Sequence, residues 1–243
     1  MYYTDLSFIS KYAISVSASY IKICKKNDPD LAKCIINSVY SLKPKLVEGI
    51  PELDVPSIEP LPLERVELRN GQSTSKIDAN ITNIQVWGPS SFEILELKPN
   101  VAKNRFAFKI SIPHLYFEGD YDIDINFLLL KYKGQGKISG NFTDYKSSVL
   151  MKGHLIKLDG QNHLEFDKFR INLVLGKNYF YLDNLFSQDV ALHRATNDVV
   201  NENADLFANE VRPAIENALS DIFTKIANTI TKRFTYDELF PAT

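Results

Sequence analysis

Four histidines, two cysteines and a Gly-x-Gly triplet are the residues of this chain whose types most readily carry chemistry. His114, His154, His163 and His193 could serve as general bases or metal ligands, but each falls in a separate segment. No pair has the HExxH spacing, and Cys24 and Cys34 lack the close Cys and His partners of a zinc site. Gly134-Gln135-Gly136 lacks the third glycine of a dinucleotide fingerprint, and the chain has no GxSxG elbow or Walker loop. No group of residues meets the requirements of a catalytic site, so neither an enzyme nor a metal or cofactor is expected. Asn80-Ile81-Thr82 and Asn141-Phe142-Thr143 are N-glycosylation triplets, which matter only on the secretory route.

The cysteines have a different use. Asn27-Asp28-Pro29-Asp30 between them is a strong turn signal. In one continuous helix the two would stand about 15 Å apart, beyond the ~7 Å that a disulfide spans. A turn would return them to each other and let Asp30 cap a new helix. Spacing alone leaves both a bridge and two buried free thiols open.

The 28 basic and 30 acidic residues give a net charge of −2. That calls for neither nucleic acid nor an anionic membrane as partner. No apolar run reaches the ~18 residues that span a bilayer. Hydrophobic residues make up 44% of the 243, with 15 Phe and 12 Tyr, enough for a large core or an apolar pocket. Residues 1–20 read as a degenerate signal or a disordered amino terminus. Phe8 to Ala18 is weakly apolar, but Lys11 interrupts it and Asp5 sits where positive charge belongs.

Two helices are expected. Leu31, Ile35, Val39, Leu42 and Leu46 keep a helical spacing that ends at Gly49, with Pro44 bending or shortening it. Phe207, Val211, Ile215, Leu219, Ile222, Ile226, Ile230 and Phe234 put one face of a long helix over Asn203–Phe234, with a bend or a start near Pro213. At ~1.5 Å per residue it would run roughly 48 Å. The prolines between Gly49 and Pro62 predict an extended, polyproline-like segment.

From Val66 to Tyr181 the chain reads as strands. Val101–Ile112, Tyr121–Lys133, Gln135–Met151 and Leu164–Leu175 carry apolar residues on alternate positions. Turns are expected at Pro99-Asn100, Gly119-Asp120, Lys133-Gly134-Gln135-Gly136, Asp159-Gly160-Gln161 and Gly176-Lys177-Asn178. Strands this long match the closing helix in length, so a strongly curved antiparallel sheet wrapped around that long C-terminal helix, an α+β fold, is expected.

Specific residues then point to a family. Cys24 with Cys34, Gly49-Ile50-Pro51, Leu53-Asp54-Val55-Pro56 and Glu59-Pro60-Leu61 resemble the amino-terminal signature of the takeout / haemolymph juvenile-hormone-binding protein family of insects. Gly134-Gln135-Gly136 with Lys137–Lys152, Leu182-Asp183-Asn184-Leu185-Phe186, Asn201-Glu202-Asn203 and Asp237-Glu238-Leu239-Phe240-Pro241 resemble its later segments. The likeness covers about Tyr20 to Pro241; Ser187–Val200, with His193 and Arg194, departs from it, and so does the weak signal. The resemblance implies a single domain over 21–243 with a tubular lipid-binding (TULIP-like) fold. It also implies a secreted, monomeric carrier, without stable membrane insertion, of a juvenile-hormone-like terpenoid or fatty acid in an apolar tunnel. The alternatives are a signalling or interaction protein with a filled interior, or a lipid-transfer protein acting at membranes.

The candidate lining is Phe92, Ile94, Phe106, Phe108, Ile110, Tyr116, Ile123, Phe127, Leu129, Phe142, Phe169, Ile171, Phe180, Val211, Ile215 and Ile222. Taken singly each is a better core residue than a ligand contact, because interiors are close-packed; the resemblance favours a lumen for the set. Tyr116, Tyr121, Tyr145 or His114 could orient a ligand by a hydrogen bond if turned inward.

Overall fold

The computed structural model describes residues 21–72, 75–127, 130–186 and 188–242; the segment read as a signal lies outside them. The leading helix α1 runs Leu31–Glu48 and is followed by strands β1 (Leu61–Gln72), β2 (Ser75–Trp87), β3 (Glu93–Asn100), β4 (Arg105–Phe127) and β5 (Leu130–Leu158). Then come β6 (Gln161–Phe166), β7 (Arg170–Val174) and β8 (Asn178–Leu182), and helices α2 (Val190–Glu202), α3 (Ala204–Thr231) and α4 (Tyr236–Leu239).

All strand pairs are antiparallel, as the short connections require. The β4–β5 ribbon is the spine. Along β4, β2 pairs with Tyr116–Asn126 and β3 with Arg105–Ser111. Along β5, β6, β7 and β8 pair in succession with Gly153–Leu158, Lys146–Leu150 and Ile138–Phe142. Helix α3 touches β1 on one side and β6, β7 and β8 on the other. The sheet is therefore a trough, and α3 lies in its mouth.

Two expected turns are continuous strand instead. Gly119-Asp120 sits inside β4, and Gly134-Gln135-Gly136 inside β5. Glycine there serves close approach: a Cβ at Gly136 would lie 2.9 Å from the Tyr121 hydroxyl. The turn at Asp159-Gly160 is present; that expected at Gly176-Lys177-Asn178 is not, because β7 and β8 run on in one direction along β5 and Lys177 O still accepts from Thr143 N. That at Pro99-Asn100 moves on to a 3₁₀ turn over Val101–Lys103, capped by the Asn100 side chain.

Helix α1 ends at Gly49, whose φ of 88° suits glycine, and Pro44 is accommodated within it. The proline-rich stretch is not wholly extended. Pro51–Leu53 form a 3₁₀ turn clasped by the Ile50–Val55 bridge, and Pro62 lies in β1, an edge strand where a missing N–H is tolerated. Cys24 and Cys34 are bridged, with Cα atoms 5.9 Å apart across the Asp28-Pro29 turn.

Helix α3 begins at Ala204 and contains Pro213, so the helix does not restart there. The segment before it, Val190–Glu202, is helix α2, which the sequence left without a structural expectation. Asp189 caps it through the Leu192 N–H.

Candidate functional site

Between trough and helix lies a cavity of about 760 Å³. Its walls come from the inner faces of β1 to β5, β7 and β8, from α3, and from Ile35, Val39 and Leu46 of α1. Among the described residues the lining includes no Lys, Arg, His, Asp or Glu; Tyr121, Tyr145 and Ser147 bring its only hydroxyls. Such walls cannot hold a charge, which would be stripped of water without a partner. They suit a molecule made mostly of hydrocarbon.

Of the residues singled out in the sequence, Phe92, Ile94, Phe106, Phe108, Ile110, Ile123, Phe142, Phe169, Ile171, Phe180, Val211 and Ile215 face this cavity. Tyr116 does not. Its ring packs on Trp87 at 5.6 Å and its hydroxyl donates to Glu118, both on the outer face. The cause is a change of phase. Even-numbered residues line the cavity from Phe106 to Ile112 and odd-numbered ones from Leu115 to Ile125. The switch falls at Pro113, which has no N–H to give the ladder, opposite Asp144 with φ of 56°. Ile222 is the second correction. It packs beside the cavity in the cluster of Leu61, Leu63 and Phe117, because the lining stripe of α3 runs through Ile215, Leu219, Phe223 and Ile226. The Phe127 side chain and Leu129 lie outside the described residues.

The sequence reading missed the walls from α1, β1 and β2. Their signals were present: Leu61 and Leu63, Ile77, Ala79 and Ile81, and Ile84 with Val86 all alternate. His114 is exposed, so of the proposed orienting groups only Tyr121 and Tyr145 turn inward. Tyr121 donates to the Asp183 carbonyl at 2.5 Å. Burial raises the Tyr145 phenol well above its ordinary value, with the Ser147 hydroxyl opposing as a hydrogen-bond partner.

The helix is held in the mouth by a polar row beside its apolar face. Glu216, Ser220, Thr224 and Asn228 recur every four residues and so line up along α3. Glu216 accepts from Leu173 N at 2.8 Å, and Thr224 from Phe169 N at 2.9 Å. Ser220 donates to the Phe169 carbonyl. Asn228 accepts from Phe166 N at 2.7 Å and donates to Phe166 O at 2.9 Å. Helix α2 does the same for β8: Asn197 pairs with both backbone groups of Leu182, and Asn201 with both of Phe180. Side chains thus take the place of the strand that the sheet edge lacks.

The segment after α3 packs against the lining. Thr235 and Glu238 form a capping box that starts α4. The Tyr236 hydroxyl reaches Val101 O and Asn104 Oδ1, at 3.0 and 2.9 Å, and Phe240 stacks on Phe106 at the lining. The glycosylation candidates Asn80 and Asn141 lie in mid-strand with half-buried side chains. Among the described residues no three His, Cys, Asp or Glu side chains gather as a metal site.

The family model for haemolymph juvenile hormone binding protein matches residues 6–241. The circadian clock-controlled protein daywake of Drosophila melanogaster is 24% identical over 234 residues, 91% of this chain and 87% of that protein. The protein of the same name in Drosophila yakuba is 23% identical over 248 residues, 98% and 94% of the two chains. The crystal structure of takeout 1 from Epiphyas postvittana is similar with a TM-score of 0.76 at 19% identity, over 91% of this chain and 100% of that one. At that identity the likeness is one of fold, a curled antiparallel sheet around a long helix.

Proposed function

Since the chain belongs to the haemolymph juvenile hormone binding protein family, we propose that it is a secreted, non-enzymatic carrier of a small hydrophobic ligand. The ligand is a juvenile-hormone-like terpenoid or a fatty acid held in an internal apolar tunnel. The observation that carries this reading is the cavity of about 760 Å³ with walls of hydrocarbon. Moving an apolar molecule from water to such walls is worth about 25 cal/mol for each Å² buried. The carrier works by sequestration, acts as a monomer and needs no membrane insertion. No described helix is long and apolar enough to cross a membrane. A filled-interior scaffold would have closed this space with side chains.

The experiment is a titration of delipidated protein with an apolar naphthylamine dye, followed by displacement with a terpenoid ester or a long-chain fatty acid. Saturable uptake with displacement is expected. A delipidated, folded sample that takes up neither dye nor either competitor overturns the reading.

A further inference from the structure

An aromatic row crosses the outer face of the sheet. Trp87 on β2 stands opposite Tyr116 on β4, Tyr116 opposite Asn141 on β5, and Asn141 opposite Tyr179 on β8. Phe117, Phe142 and Phe180, one residue further along their strands, line the cavity, so the row faces away from it. Trp87 and Tyr116 pack on each other at 5.6 Å, and Tyr179 is 51% exposed. Further along this face the rows are charged: Asp120 pairs with Lys137, and Asp124 with Lys76. Rings gathered at one place on such a surface mark a site where something lies.

What lies there is indicated by the residue in the middle of the row. Asn141 opens the triplet Asn141-Phe142-Thr143, an N-glycosylation acceptor. Residues directly opposite on adjacent strands have Cβ atoms about 4.5–5.5 Å apart, so the Asn141 side chain rises between those of Tyr116 and Tyr179. Among the described residues its half-buried amide has no hydrogen-bond partner, yet none of its atoms is sealed from solvent. The other triplet has different surroundings. Asn80 stands between Glu67 and Asp122, and its Oδ1 is buried without a partner. A sugar on Asn80 would meet carboxylates and no ring. One on Asn141 meets a tyrosine on either side, and the C–H face of a pyranose packs on a ring as an apolar surface does while its hydroxyls stay in water.

We infer that Asn141 carries an N-linked oligosaccharide whose first sugar lies on the Tyr116 and Tyr179 rings and covers the row. This rests on the secretory part of the reading above, because the oligosaccharide is added only on that route. It does not depend on what the cavity holds.

The test places the full chain behind a secretion signal in a eukaryotic host and maps the glycopeptides of the exported protein. Asn141 is expected to be occupied. Thermal melts then compare the glycosylated chain with two bare forms, Thr143→Val, which removes the acceptor triplet and keeps Asn141, and the chain after enzymatic release of the sugar. The glycosylated form is expected to melt about 2–4 °C above both, the shift that one aromatic contact gives in a chain of this size. In Tyr179→Thr the same comparison is expected to lose at least half of that shift. A bare Asn141 in exported, folded protein, a melting temperature indifferent to the sugar, or a shift of full size in Tyr179→Thr each overturn this inference, and dye uptake by the same samples leaves the carrier reading standing. A chain that binds the dye when made without a signal but is not exported behind one removes the secretory reading and this inference together.

Discussion

At the scale of single residues, the hollow changes what a substitution does. Ile215 and Leu164 both belong to the interior, yet Leu164, away from the lining, is 1% exposed while Ile215, which borders the cavity, stays half-buried. Leu164→Ala is expected to cost about 2–5 kcal/mol, the usual loss for an emptied core site. Ile215→Trp puts bulk into space that is already open, so the strain of overpacking is not incurred. Its melting temperature is expected within a few degrees of wild type, with dye binding reduced at least ~tenfold. Thermal melts beside a dye titration separate the two; a Trp variant that melts early would show the site to be packed.

The buried phenol makes a prediction about pH. Burial raises Tyr145 above the ordinary value of 10.0, so the folded chain keeps this proton where the unfolded chain has lost it. Above about pH 10 the unfolded state binds fewer protons, and stability must fall as pH rises, by up to ~1.4 kcal/mol per pH unit for this group. Tyr121, raised by burial first and by Tyr132 next, acts in the same direction. Melting temperatures from about pH 9 to about pH 11 should decline more gently in Tyr145→Phe than in wild type. Parallel slopes would place the phenol in water.

At the scale of elements, the polar row of α3 is the device that fixes helix to sheet. Asn228→Ala strips both Phe166 backbone groups of their partners, with an expected cost of about 2–4 kcal/mol and faster amide exchange at Phe166. Asn217→Ala is the control. That residue is exposed and, among the described residues, its side chain accepts only from Lys168 Nζ, so a change within about 0.5 kcal/mol is expected. Equal losses in the two variants would count against the edge-sealing role. The row was visible in the sequence only as polar residues beside the stripe. Spacing by four puts Glu216, Ser220, Thr224 and Asn228 in line, but it does not tell a solvated face from one that meets backbone. The same ambiguity led to turns being assigned at Gly119 and Gly134. Glycine marks a bend or a close approach as readily as a reversal, and only the pairing of Gly119 with Ile138 and of Gly134 with Ile123 decides between them. The long helix, the antiparallel order and most of the β4 and β5 lining were legible because their periodicities persist over many residues. Tyr116 was misplaced because the period breaks at Pro113, and a phase error of one residue reverses the face.

At the scale of the molecule, the cavity sets an energetic problem that the fold must solve with something other than its own side chains. Voids opened in small proteins cost about 24 cal/mol per Å³. Even a quarter of that over about 760 Å³ comes to ~5 kcal/mol, comparable with the entire stability of many domains. Water is a poor filler, because a stable buried water needs two to four polar partners and the walls supply almost none. The protein is therefore expected to emerge from any expression host with an apolar molecule inside. A ligand that binds only the folded state at about a hundred times its Kd adds ~2.7 kcal/mol, so the loaded form should melt several degrees above the stripped one. Native mass spectrometry of freshly purified protein, repeated after organic extraction, measures the first claim, and paired melts the second. A fresh sample with the bare chain mass and a melting temperature indifferent to extraction would mean that the trough closes on itself in solution.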